Sequence, residues 1–134
     1  MVARITIDEQ NFIKNAKNVI KDNKVMAVVK NDAYHFGLEF AVESFIQAGI
    51  QTFSTTSLHE AVRIREIDKQ VNIFLMNPSI EFETLKAHNI AMTLPSLTFY
   101  HEHIEDLAGV KLHLELENLL HRSGLKDQDE MLQV

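Results

Sequence analysis

Lys30 ends an apolar run, Val25-Met26-Ala27-Val28-Val29, and turn-forming residues, Asn31-Asp32, follow it at once. The run is short, rich in β-branched residues and without alternation, so it reads as a strand of a buried sheet with a lysine at its carboxyl end. An ammonium in that position is costly to desolvate, and desolvation favours the neutral amine. A neutral amine attacks a carbonyl carbon and forms a Schiff base. The competing reading is a lysine that has turned its charge out to water, as strand-end lysines commonly do. Tyr34 adds a phenol to the same turn. Arg122 follows a second strand-like stretch, Val110 to Glu117, and stands beside Ser123 and Gly124. Taken alone it also reads as a surface arginine at a helix entrance.

Other chemistries find little support. There is no Ser-His-Asp order, paired-carboxylate motif, phosphate-binding Walker loop or dinucleotide glycine fingerprint. His101 and His103 lie in a helical stretch, where residues two apart point away from each other, so no metal site is expected. With no cysteine, disulfides and thiolate metal sites are excluded. The net charge of −6 and the lack of a basic stripe argue against nucleic acid. No apolar run is long enough to span a membrane, and MVARITIDEQ has no apolar signal core.

These residues need a scaffold, and the 134-residue pattern supplies one. Arg4 to Ile7 alternates like a short strand. Asp8 then caps a helix whose apolar face is Phe12, Ile13, Ala16, Val19 and Ile20. After the strand ending at Lys30, Leu38, Ala41, Val42, Phe45 and Ile46 form a second helical stripe, stopped by Gly49. A strand covers Thr52 to Thr55, and Ser57-Leu58-His59-Glu60 reads as a capping box. Leu58, Ala61, Val62 and Ile64 face inward on that helix. Val71 to Met76 is the next strand, leading to Asn77-Pro78 at a loop that would rim a cleft. Ser79 opens a helix with Phe82 and Leu85 inward, ending at Asn89. Ile90 to Leu94 is another strand, and Pro95-Ser96 starts a helix with Phe99, Ile104 and Leu107 buried, ended by Gly109. In Val110 to Glu117 apolar residues alternate with Lys111, His113, Glu115 and Glu117. A last helix begins at Asp127.

Strands and helices therefore alternate, which predicts a parallel α/β architecture of about five strands without an internal domain boundary. Two folds compete. A doubly wound, flavodoxin-like sheet is complete at this length. A (β/α)8 barrel needs about 250 residues, so the chain would supply only its first part.

Ala27-Val28-Val29-Lys30, Ala33-Tyr34 and Gly37 resemble the cofactor-lysine motif of bacterial alanine racemases. His35-Phe36 stands where that family usually has Gly-His. His113-Leu114, Arg122 and Gly124 resemble the family's second motif, with Asn118-Leu119-Leu120 in place of its Thr-Gly-Met. The resemblance implies a partial (β/α)8 TIM-type barrel, residues 1–134 being the amino-terminal portion of its barrel domain. It implies interconversion of L- and D-alanine through a pyridoxal phosphate Schiff base, supplying D-alanine to the cell wall. Lys30 would carry the cofactor, Tyr34 would bind its phosphate, and Arg122 would bond the phenolic oxygen of its ring. Glu115 stands where the family often has a carbamylated lysine and is expected to orient Arg122 as a ready-made anion. Leu75 is expected near the ring. A cytoplasmic homodimer is implied. The second acid/base, a tyrosine of the partner subunit, comes later in family chains, as does the arginine at the pyridine nitrogen. These 134 residues alone are therefore expected to be inactive or nearly so, and their open sheet edges to promote self-association. The alternatives are a non-catalytic pyridoxal-phosphate-binding barrel protein and a flavodoxin-like regulatory or binding domain.

Overall fold

The computed structural model describes residues 5–21 and 23–134. Five parallel strands lie side by side in chain order: β1 (Ala27–Val28), β2 (Thr52–Thr55), β3 (Asn72–Leu75), β4 (Ile90–Leu94) and β5 (Leu112–Leu114). Helix α1 (Glu9–Ile20) precedes β1, and between the strands run a left-handed helical segment α2 (Lys30–His35), α3 (Leu38–Ala48), α4 (Leu58–Ile67), α5 (Phe82–Ala87) and α6 (Leu97–Glu102). The short α7 (Gln128–Met131) closes the chain. The strictly sequential strand order settles the choice of fold. A flavodoxin-like sheet has order 2-1-3-4-5 and helices on both faces, whereas a barrel adds each strand beside the last.

Side-chain alternation along the strands puts the apolar core on one face, while Ser54 and Thr93 are buried on the other. Ala27, Val29, Phe53, Ile73, Leu75, Ile90, Met92 and Leu94 belong to one core with Leu38, Ala41, Val42, Ala61, Ile64 and Leu85 from the helices. On the opposite face of the first strand, Met26 and Val28 are 40% and 41% exposed. The expected strand at Val25–Val29 is thus two residues long, and it alternates rather than being buried on both sides. At an edge, β1 pairs only with β2, with Ala27 opposite Phe53 and Val28 opposite Ser54.

Local signals set the helix ends. Asp8 accepts from Asn11 N–H at 2.9 Å and Ser96 from Phe99 N–H at 3.1 Å, and Asp127 accepts from Glu130 N–H at 2.9 Å. Gly49 ends α3 at φ 105°. Phe12 carries α1 onto α3 by meeting Phe36, Phe40 and Phe45 with ring centroids 5.1–5.6 Å away.

Some expectations fail. The strand expected from Arg4 begins outside the described residues, and Ile5 to Ile7 have no regular structure. Val19 and Ile104 are exposed rather than buried, and Ile104 lies beyond the end of α6 at Glu102. Helix α5 starts at Phe82, three residues after Ser79, whose hydroxyl instead accepts from Glu81 N–H. The Val110–Glu117 strand shortens to β5, since it pairs on one side only.

Arg65 is buried although nothing in its spacing demands it. Its guanidinium donates to the carbonyls of His88 (2.9 Å) and Asn89 (3.3 Å) at the carboxyl end of α5 and of Asp68 (3.3 Å) at the end of its own helix α4. Burial lowers its pKa from the ordinary value, while nearby Asp68 opposes that shift.

Candidate functional site

The carboxyl ends of the strands open onto a cavity of about 620 Å³. Lys30 reaches it from beyond β1, Thr56 from beyond β2, Met76, Asn77 and Pro78 from beyond β3, Pro95 from beyond β4, and Glu115 from beyond β5. In barrels, sites are built at this end, where the βα loops converge. Phe74 and His113 form part of the wall, their rings stacked at 4.2 Å and 21°. Arg122 and Ser123 come in from the loop after β5.

Directly after Lys30 the chain takes an unusual course. Asn31, Asp32, Ala33, Tyr34 and His35 have φ of 51–67°. None is glycine, and the left-handed conformation costs an L-residue roughly 1–2 kcal/mol. Surrounding bonds hold the segment. Ala33 N–H donates to Val29 O (3.0 Å) and Gly37 N–H to Asp32 O (3.0 Å). The Asp32 carboxylate accepts from Leu38 N–H at 2.8 Å, capping α3. Asp32 N–H donates to the Glu60 carboxylate at 2.8 Å. Asn31-Asp32 was legible as a turn; its left-handed continuation through His35 was not.

That last bond revises the capping box. Glu60 N–H does meet Ser57 Oγ, at 3.5 Å, but the Glu60 carboxylate does not return to Ser57 N–H. It accepts from Asp32 N–H and the Thr55 hydroxyl instead, and Ser57 N–H meets Thr55 Oγ1 at 3.4 Å.

Lys30 and Arg122, the two cations singled out in the sequence, face the same cavity. Tyr34 does not line it; its side chain stands 54% exposed on the left-handed segment. Leu75 is buried in the helix-side core, and its strand neighbours Phe74 and Met76 line the cavity in its place, as period-two alternation requires. Asn77 and Pro78 do rim the cavity. His103 packs against Phe99 (4.6 Å) and Phe82 (5.2 Å).

The expected ion pair of Glu115 with Arg122 is absent among the described residues. Glu115 Oε2 accepts from Ser123 Oγ (2.9 Å) and Thr93 Oγ1 (3.1 Å) instead. The carboxylate holds the residue next to the arginine, not the guanidinium. Ser123 and Thr93 were missed in the sequence because hydroxyls that serve as tethers carry no spacing signal. In Glu115→Gln both hydroxyls lose a charged acceptor, a loss of about 1.5–3 kcal/mol where buried and less in this half-open setting. Thermal unfolding should shift down by only a few degrees, while amide exchange over residues 121–124 rises. Unchanged exchange there would show that Glu115 does not hold the loop.

Residues 7–134 match the family described as alanine racemase, N-terminal domain. The chain belongs to that family. Alanine racemase 2 of Staphylococcus aureus (strain Mu50) is 54% identical over 134 residues, which is 100% of this chain and 37% of that relative. The chain thus spans little more than a third of the curated racemase it matches. Alanine racemase from E. faecalis superposes with a TM-score of 0.83 at 20% identity, over 95% of this chain and 37% of that one. Alanine racemase from Bartonella henselae with covalently bound pyridoxal phosphate gives 0.76 at 23%, over 95% and 40%. These likenesses identify the five-stranded sheet as part of the racemase barrel. No helix among the described residues is long and apolar enough to cross a membrane.

Proposed function

We propose that residues 1–134 are the amino-terminal portion of the barrel of a pyridoxal-phosphate-dependent alanine racemase. The observation that supports this most is Lys30, the one lysine lining the cavity, facing it together with Arg122 in a chain of this family. The residues suit the cofactor. A flat aromatic ring needs apolar walls, which Phe74, Met76, Pro78 and Pro95 offer, and polar edges, which Thr56, Asn77 and Arg122 offer.

When bound, pyridoxal phosphate joins amines covalently through its aldehyde and draws electrons from the α-carbon of an amino acid. Lys30 Nζ would hold the aldehyde, and its free amine would carry a proton to or from one face of that carbon. Arg122 would donate to the ring's phenolic oxygen. Tyr34, four residues past Lys30, is exposed and outside the cavity lining, and its hydroxyl would have to turn toward the cavity to donate to the phosphate. Racemisation also needs a proton carrier on the opposite face. We assign that group to residues outside these 134, on a partner subunit of a homodimer. A cytoplasmic location and a supply of D-alanine for the cell wall belong to the same reading.

The test is a chimera in which this chain replaces the matching 37% of the Staphylococcus aureus relative. With pyridoxal phosphate it should racemise alanine faster than serine, lysine or ornithine, while the 134 residues alone show little or no turnover. Cofactor binding without turnover in the chimera would favour a non-catalytic carrier. Full-rate turnover by the short chain would overturn the placement of the second proton carrier.

A further inference from the structure

We infer that Glu60 is a positioning residue for the cofactor lysine, acting through the left-handed segment. Glu60 lies in the first turn of α4, 28 residues from Asp32, and does not line the cavity. One carboxylate oxygen accepts from Asp32 N–H at 2.8 Å. The other accepts from the hydroxyl of Thr55, the fully buried last residue of β2. A single anion therefore ties together the end of β2, the start of α4 and the front of α2.

The diversion of this carboxylate is informative. In a capping box it would satisfy Ser57 N–H. Here Thr55 takes that N–H, at 3.4 Å, and the carboxylate is left for the segment after Lys30. The backbone bonding of that segment runs from Ala33 N–H to Val29 O, and Glu60 takes the N–H one residue earlier. Asp32 is then engaged three ways: its N–H to Glu60, its carbonyl to Gly37, and its carboxylate to Leu38. Five consecutive left-handed residues are unfavourable by themselves, so an anchored node near their start decides whether the form persists. Lys30 stands two residues before that node and Tyr34 two after it. Fixing the node fixes the spacing of amine and phenol. The cofactor half of this inference rests on the function proposed above.

The experiment compares the parent chain with Glu60→Ala and Glu60→Gln. Amide exchange is measured without cofactor. Separately, the rate at which Lys30 takes up pyridoxal phosphate is measured by borohydride trapping and peptide mass. In Glu60→Ala, exchange at Asp32 to Tyr34 should rise about tenfold with β3 and β4 unchanged, the loss expected for a charge-assisted bond. Uptake at Lys30 should slow by a similar factor, and uptake at exposed Lys126 should not change. Glu60→Gln, which keeps an acceptor oxygen, should stay within about threefold of the parent. Parent-like exchange and uptake in Glu60→Ala would overturn the inference. So would exchange that rises equally throughout the sheet in both variants, since Glu60 would then be a general stability residue. If the parent itself takes up no cofactor at Lys30, the proposed function fails, and the exchange measurement alone judges the anchor.

Discussion

Lys30→Ala should abolish the absorbance that pyridoxal phosphate gains at the violet edge of the visible when it joins this chain. The reason is positional. The lysines of the sequence are spread over its whole length, yet only Lys30 lines the cavity at the strand ends. Lys111 reaches a different hollow, with Met26, Asn72 and Asn89, at the amino ends of the strands. No second amine stands ready to replace the first. Affinity for the cofactor should fall on the order of a hundredfold, or about 2.7 kcal/mol. Stability should hardly move, because Lys30 is half-buried and makes no ion pair among the described residues. Equilibrium dialysis with pyridoxal phosphate, read beside a thermal melt, separates the two effects. Parent-like binding in Lys30→Ala would remove the lysine from the site.

Gly124→Ala should be the most damaging conservative change in the chain. A Cβ at Gly124 would lie 2.6 Å from Glu117 N, 2.8 Å from Glu115 O and 2.9 Å from the Leu116 carbonyl carbon. All three are backbone atoms, so no side chain can rotate away, and φ of +117° is itself unfavourable for alanine. Gly124 sits where the loop returns to the sheet. Its N–H donates to Pro95 O at 2.7 Å, Leu125 N–H to Glu115 O at 2.7 Å, and Glu117 N–H to Leu125 O at 2.8 Å. Leu125 is fully buried there. Prising this return apart should cost ~3 kcal/mol and lower the midpoint of thermal unfolding by about 10 °C. Because Arg122 and Ser123 precede the glycine, cofactor affinity should fall together with stability. A variant as stable as the parent would show that the loop can be rebuilt without its tight return.

How much of this the sequence discloses depends on whether the cause is local. The capping roles of Asp8, Ser96 and Asp127 act within one helical turn, and each is visible in the residues themselves. The alternation of strand and helix is likewise local, and so is the lysine at the end of an apolar run. The sequential strand order is not local: spacing alone slightly favours a complete doubly wound sheet, and only the motif resemblance reverses that toward the barrel. The left-handed course of Asn31 to His35 was invisible because Asn, Asp and His tolerate that region singly, not as a run, and Ala33 and Tyr34 disfavour it. One of its N–H groups, that of Asp32, meets an acceptor 28 residues further on. For the same reason the capping box at Ser57 was only half right, its glutamate being claimed by a distant N–H. Glu115 was recognised as important, but its partners, Thr93 on β4 and Ser123 on the returning loop, are brought together by the fold alone.

The most direct test of the central claim is the site of covalent attachment. The chain is incubated with pyridoxal phosphate, reduced with borohydride, digested, and its peptides weighed. One pyridoxyl group, confined to the peptide that contains Lys30, is the predicted result. A group spread over Lys14, Lys17, Lys69 and Lys126 according to exposure, with none on Lys30, would contradict it.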